Sequence, residues 1–288
     1  KPIVWTMHDM WPCTGICHHA RDCEKFQTEC ESCFFLKSKG KDLSTSVFDK
    51  KMSLYKDANI TFVGCSRWLS GRAKKSYLLR GKAVLSIPNP IDTKVYHPMD
   101  QGMARELLGL PSGKRLLLFG ALNVTDKRKG IDYLIEALRR MEKQDVELVV
   151  FGQVKDDIRG LFPVPIHSMG YLSDESKIVA LYNAVDMFIT SSLEENLPNT
   201  IMESMACGTP CVGFEIGGIP EMIDHRVNGY VANYKDAGDL ANGIQWVLEH
   251  EDRLALSDAC VKKVQENYTE EVVAKQYTAL YEKLLKGE

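Results

Sequence analysis

Several features are missing from this 288-residue chain. No apolar run approaches the roughly 20 residues a helix needs to cross a bilayer. No Gly-x-Gly-x-x-Gly opens a helix, which argues against a nicotinamide-dependent dehydrogenase. No strongly basic domain and no nucleic-acid-binding motif occurs, so nucleic acid is not an expected partner. No secretory signal, internal repeat or low-complexity tract stands out. The chain opens on Lys1-Pro2-Ile3-Val4-Trp5 without a Met. It therefore reads as a fragment or trimmed chain, and a lost targeting segment stays open.

What is present is ordinary for a globular protein: 44% hydrophobic and 26% charged residues. The length allows one large core or two medium ones. The net charge of -3 hides an asymmetry. Residues 1–98 carry 16 Lys and Arg against 9 Asp and Glu, whereas the remaining residues carry 20 against 30. A basic first part can face anionic lipid or a phosphorylated carrier, and plain solvated surface charge accounts for it equally well.

The apolar pattern alternates between strand and helix. Val4–Met7, Ile60–Gly64 and 83–87 read as strands, and residues 45–57 and 66–80 as helices. Pro88-Asn89-Pro90 through His97-Pro98 forbids helix and reads as a linker. A fuller unit follows. Leu116–Gly120, Glu147–Gly152, Met187–Thr190 and 210–214 are strands with near-continuous apolar runs. Ile131, Leu134, Ile135, Leu138 and Met141 make a helical stripe, and 174–184, 199–207 and 270–286 read as further helices. Alternation of this kind predicts an α/β fold with parallel sheets covered on both faces. Ligands in such sheets bind beyond the C-terminal strand ends, where Gly120, Gly152 and 194–199 fall.

The segment running from Glu194-Glu195-Asn196-Leu197-Pro198-Asn199-Thr200 through Glu203 to Gly208-Thr209-Pro210 is the most informative. Glu195 lies in a Pro/Asn-rich loop and Glu203 on the helix that follows. Carboxylates accept hydrogen bonds from hydroxyl pairs, and the unpaired amides of a helix start attract phosphate. A nucleotide-sugar offers both groups. The segment resembles the Glu-x7-Glu signature of retaining GT-B glycosyltransferases of family 4, and Met205-Ala206-Cys207-Gly208-Thr209-Pro210-Cys211-Val212 matches that family's small-residue run. Pro88-Asn89-Pro90-Ile91-Asp92 resembles its interdomain segment, and Gly217-Gly218-Ile219-Pro220-Glu221 another of its stretches. The surroundings of Asp9-Met10-Trp11-Pro12 are similar to bacterial members used in exopolysaccharide assembly, colanic-acid types included.

The resemblance implies a GT-B architecture of two Rossmann-like domains with parallel sheets, the first incomplete. Residues 1–88 would be the second half of an acceptor-side domain, 89–98 the linker, 99–268 the donor-binding domain, and 269–288 a helix returning to the first domain. A preceding stretch on the order of 100 residues would be missing. The implied activity is transfer of a sugar from a nucleoside-diphosphate sugar to a glycan or lipid-linked acceptor in cell-surface polysaccharide synthesis. The expected location is the cytoplasm, with peripheral contact at the inner membrane face through the basic first part. An epimerase or phosphorylase on the same fold, or a donor-binding fragment without activity, are the rival readings.

Residue by residue, Lys129 of the Lys129-Gly130 pair would meet the phosphates. The family often has Gly-Arg-Leu where this chain has Gly120-Ala121-Leu122, so Lys127 or Arg128 would supply the missing charge, Arg128 being preferred for its bidentate fork. Glu203 would hold the ribose hydroxyls. Glu195 would face the donor sugar or its phosphate edge, and amides of Asn196, Leu197, Pro198, Asn199 and Thr200 would frame the sugar and phosphate. Tyr171 and Leu172 would line the base. His8, ending the first strand, would point at the transferred sugar. No cation is expected in catalysis, because Lys129, its basic neighbours and helix amides stand in for one.

Cysteine is plentiful: nine residues, five of them between Cys13 and Cys33. Cys17-x5-Cys23-x6-Cys30-x2-Cys33 offers four thiols, of which Cys30-x2-Cys33 has zinc spacing. A structural zinc would staple a loop that lacks its own core. Disulfides and free thiols are the alternatives.

Overall fold

The computed structural model describes residues 1–141, 145–153 and 159–287. In chain order, the first part contains β1 (Ile3–Met7), α1 (Leu43–Lys56), β2 (Ile60–Gly64), α2 (Arg67–Lys75) and β3 (Ala83–Ser86). Then follow α3 (Gln101–Leu108), β4 (Arg115–Asn123), α4 (Ile131–Arg140), β5 (Val146–Gln153), β6 (Ile166–Gly170), α5 (Glu175–Ala184) and β7 (Met187–Thr190). The chain ends with α6 (Asn199–Ala206), β8 (Cys211–Phe214), α7 (Ile219–Met222), β9 (Gly229–Ala232), α8 (Ala237–Leu248), α9 (Arg253–Asn267) and α10 (Glu270–Lys286). Two compact units result: Lys1–Asn89 with Val273–Glu288, and Pro90–Val272.

In the first unit β1, β2 and β3 form a parallel sheet in that order. Val63 and Ile87 pack with Val273 and Leu280 of α10, and the Thr6 hydroxyl meets the Tyr277 hydroxyl at 2.9 Å. Asp42 starts α1: its carboxylate accepts from the Ser44 and Thr45 amides while its own amide donates to the Thr45 hydroxyl. The helix expected over 66–80 is divided. α2 stops at Lys75 because Ser76 is extended (φ -68°, ψ 134°), its hydroxyl donating to the Cys13 carbonyl at 2.7 Å. A 3-10 turn, Tyr77–Leu79, follows.

The second unit contains a six-stranded parallel sheet, β6-β5-β4-β7-β8-β9. The chain runs outward from β4 to β6, returns to the centre at β7, and runs outward again to β9. This is the doubly wound order, and its switch point lies between β4 and β7. The central strands are buried on both faces: Leu116–Leu118, Leu148–Val150 and Met187–Ile189. Such strands need continuous apolar runs, which is why the sequence pattern locates them. β4 extends past Gly120 to Asn123, where a register shift lets Asn123 pair with Gln153. α3 was not foreseen. Asp100 caps its start and Gly109, at φ +65°, ends it. Among the described residues no helix is long and apolar enough to cross a membrane.

Candidate functional site

At the switch point, the segment after β4 is tied to the segment after β7. The Ser191 hydroxyl donates to the Lys129 carbonyl at 2.9 Å, and the Leu193 amide to the Arg128 carbonyl at 2.7 Å. Gly130 sits between them at φ +65°, where a Cβ would lie 1.9 Å from the Ser191 carbonyl oxygen. Only glycine fits, in conformation and in space. The tie brings the Lys129 ammonium to the Glu195 carboxylate at 2.5 Å. Both side chains keep some exposure, 33% and 15%. A partly hydrated pair of this kind can open toward a ligand bearing phosphate and hydroxyls.

The backbone of Glu195 and Asn196 is cradled by the turn before α7. The Gly218 amide donates to the Asn196 carbonyl at 2.5 Å. Gly217, at φ +58°, lies so close that a Cβ would be 2.0 Å from the Glu195 carbonyl oxygen. Asn196, Leu197 and Pro198 are buried, Thr200 is half-buried and Asn199 is exposed. Pro198 precedes α6 and offers no side-chain cap. Helix-start amides such as those of α6 attract anions.

Glu203, on α6, is half-buried. Its Oε2 accepts from the Tyr182 hydroxyl at 2.7 Å. Burial raises its pKa above the ordinary carboxyl value; the Tyr182 hydrogen bond opposes this and the Glu175 charge reinforces it. Tyr182 is fully buried, its ring edge-on to Phe151 and Phe188 at 6.2 and 6.0 Å. Its backbone carbonyl accepts from the Thr209 hydroxyl at 2.7 Å. The small-residue run therefore ends α6 and fastens the strut behind Glu203. Neither Tyr182 nor Phe151 was singled out in the sequence. The one trace was their place in apolar runs, which any core residue shares.

The other expected residues fall as follows. Gly120 is packed against Phe151, whose Cε1 would lie 1.8 Å from an added Cβ, so close ring packing already requires a glycine there. Lys127 is exposed. Arg128 is exposed but its guanidinium is folded onto Asp126, with Nη2 at 2.6 Å and Nε at 3.0 Å from Oδ2. In this structure the Arg128 fork is thus engaged by the carboxylate two residues before it. Tyr171 is exposed and Leu172 half-buried, just after β6 at the edge of the sheet. His8 is exposed, follows β1, and belongs to the first unit.

Cys30 is buried, and Cys17, Cys23 and Cys33 are half-buried. The Gly15 amide donates to Cys30 Sγ at 3.3 Å. Burial, first of all, raises the Cys17 thiol, and pushes that of Cys30 up to about 11. Among the described residues no three or more His, Cys, Asp or Glu side chains are arranged to hold a metal ion. Nor does the segment lack a core, contrary to expectation: Met10, Cys13, Ala20 and Phe26 are buried there.

Residues 113–250, the greater part of the second unit, match the family described as "Glycosyl transferases group 1". Among curated relatives, the chain is 24% identical over 213 residues to N-acetyl-alpha-D-glucosaminyl L-malate synthase of Bacillus anthracis, covering 72% of this chain and 55% of that protein. It is 27% identical over 185 residues to the amylovoran biosynthesis glycosyltransferase AmsK of Erwinia amylovora, covering 59% and 45%. The chain spans about half the length of these relatives. Among solved structures, sucrose-phosphate synthase from Thermosynechococcus elongatus superposes with a TM-score of 0.74 at 21% identity, over 99% of this chain and 68% of that one. Anabaena Alr3699/HepE, solved with UDP and glucose, superposes with a TM-score of 0.71 at 18% identity, over 98% and 72%. The shared fold is the α/β architecture of these glycosyltransferases, with two parallel sheets.

Proposed function

We propose that this chain is part of a retaining glycosyltransferase that moves a sugar from a nucleoside-diphosphate sugar to a glycan or lipid-linked acceptor in cell-surface polysaccharide synthesis. The observation that carries the proposal is the meeting of Lys129 and Glu195, 66 residues apart in sequence, beside the start of α6. In this reading the donor diphosphate lies over the α6 amides, and Lys129 turns from Glu195 toward it. Glu195 is then released to accept from sugar hydroxyls. Glu203, braced by Tyr182 on one oxygen, accepts from the ribose with the other. The bond from the anomeric carbon to phosphate breaks, and its electron pair leaves with the diphosphate. The acceptor oxygen bonds to the same face, and its proton passes to the departing phosphate oxygen. Lys129 and the amides stabilise the charge that grows on the leaving group. His8 keeps its sugar-facing role through the family resemblance alone. The polysaccharide setting draws on the likeness to AmsK.

Calorimetric titration with a panel of nucleoside diphosphates and their sugars tests the reading. UDP is tried first because the Anabaena neighbour was solved with it. One diphosphate and its sugar should bind selectively. Glu203→Ala should weaken binding by roughly 1.5–3 kcal/mol, the range for a hydrogen bond to a charged group. Equal affinity in a folded Glu203→Ala protein would remove Glu203 from the site, and absence of binding across the panel would remove the donor site itself.

A further inference from the structure

The donor-site reading leaves one part of the first unit unused. Residues 33–42 form a closed loop whose base is fastened on both sides. The Ser32 amide donates to the Gly40 carbonyl, and the Gly40 amide to the Ser32 hydroxyl, each at 2.8 Å. Asp42 clamps it from below, accepting from the Cys33 amide at 2.8 Å and from the Ser38 hydroxyl while capping α1. At the top, the Leu36 amide donates to the Cys33 carbonyl at 3.1 Å and the Lys37 amide to the Phe34 carbonyl at 3.3 Å. The backbone of the loop is thus held in one conformation.

This frame displays side chains that a soluble surface does not need. Phe34, Phe35 and Leu36 are consecutive and 45%, 46% and 38% exposed. The two rings stand 3.9 Å apart, with the Arg21 guanidinium over them at 5.8 and 5.4 Å from their centroids. Lys37, Lys39 and Lys41 follow at every second position, all exposed, and residues 33–41 contain no carboxylate. The carboxylates of this segment lie before the loop, at Asp22, Glu24, Glu29 and Glu31, or beneath it at Asp42, already engaged by its donors.

We propose that this loop docks the protein on an anionic bilayer surface, with Phe34, Phe35 and Leu36 entering the headgroup boundary and Lys37, Lys39 and Lys41 meeting lipid phosphates. Aromatic side chains beside lysines supply the two signals that stable surface attachment requires, buried apolar area and attraction to negative lipid. The lysine stems lie along the apolar boundary while the ammonium groups stay with the phosphates. A protein partner fits less well, because lysine is depleted where proteins meet. The excess of basic residues over residues 1–98 acts in the same direction. This inference does not rest on the transferase reading.

Vesicle co-sedimentation of the protein tests it, using phosphatidylcholine with about one third phosphatidylglycerol against phosphatidylcholine alone. Binding at least ten-fold stronger to the anionic vesicles, weakened by salt, is expected. Phe34→Ser with Phe35→Ser, and separately Lys37→Glu with Lys39→Glu and Lys41→Glu, should each reduce it ten-fold or more with the thermal midpoint unchanged. Nucleotide affinity, measured on the same preparations, should not move. Equal binding to both vesicle types, absence of binding, or wild-type binding by the folded lysine variant would overturn the proposal. So would a dimer that the phenylalanine variant dissolves, since that assigns the patch to a second copy.

Discussion

The Cys-rich segment of the first unit and the Ser191–Asn199 loop of the second are both irregular, yet different chemistry anchors them. In the first, polar side chains from α1 and from the end of α2 reach in to backbone carbonyls. Lys51 of α1 is buried and donates to the carbonyls of Trp11, Thr14 and Gly15 at 2.5, 3.0 and 3.1 Å, and Ser76 holds the carbonyl of Cys13. In the second, backbone meets backbone through glycine: Gly130 against Ser191 and Gly217 against Glu195. The first arrangement needs only a helix nearby and tolerates a winding path. The second sets the positions of Lys129 and Glu195 closely, because its closest contacts are between backbone atoms and only the Ser191 hydroxyl adds a side-chain bond to Lys129. That suits the ligand-facing role proposed for Glu195.

The sheet beneath the second loop depends on one carboxylate. Asp186, its side chain 1% exposed, accepts from Arg105, Arg115 and Arg253 and from the Leu116 amide at the start of the central strands. Asp186→Ala leaves the buried Arg105 without its counter-charge. A loss of about 3–5 kcal/mol in denaturant unfolding is expected, the largest effect among these tests. A loss below about 1 kcal/mol would mean that the sheet does not rely on this group. Next in size, Lys51→Met keeps the apolar stem and orphans three carbonyls. Thermal and chemical melts should show about 3 kcal/mol lost, together with faster proteolysis of residues 13–41 but not of the 191–199 loop. Equal protection of both segments would erase the contrast between them.

The smallest effect sharpens the site. Tyr182→Phe removes the bond that holds Glu203 ionised against its burial, so the already raised pKa of Glu203 should rise further. Nucleotide affinity should then increase with pH through a midpoint displaced upward from wild type, by about 1 kcal/mol of binding below that midpoint. The stability linked to Glu203 has the opposite sign. Its folded pKa exceeds its unfolded one, so its contribution falls as pH rises between the two. A pH profile of affinity that coincides in the two proteins would show that Tyr182 only fills space.

Much of the frame was legible. Leu116–Phe119 and Met187–Ile189 are central because an uninterrupted apolar run persists only where both faces are covered. Less was legible where a single polar side chain overrides the local pattern. Ser76 cuts the expected 66–80 helix for the sake of a carbonyl more than sixty residues away in sequence. That the Arg128 guanidinium folds back onto Asp126 is likewise not written in the local pattern. Glu147 gives no hint in the sequence that it meets His167, at 2.5 Å, from a neighbouring strand.

The sequence by itself determined the alternation of strands and helices and the residue types around Glu195 and Glu203. These follow from local sterics, hydrogen bonding within a few residues, and the period of apolar side chains. Only the tertiary structure decided that Lys129 faces Glu195, that Tyr182 braces Glu203, and that three arginines converge on Asp186. Each is a through-space pairing of distant residues. It depends on which strands lie side by side, here β4 against β7, and that order comes from burying the whole sheet at once rather than from any local segment.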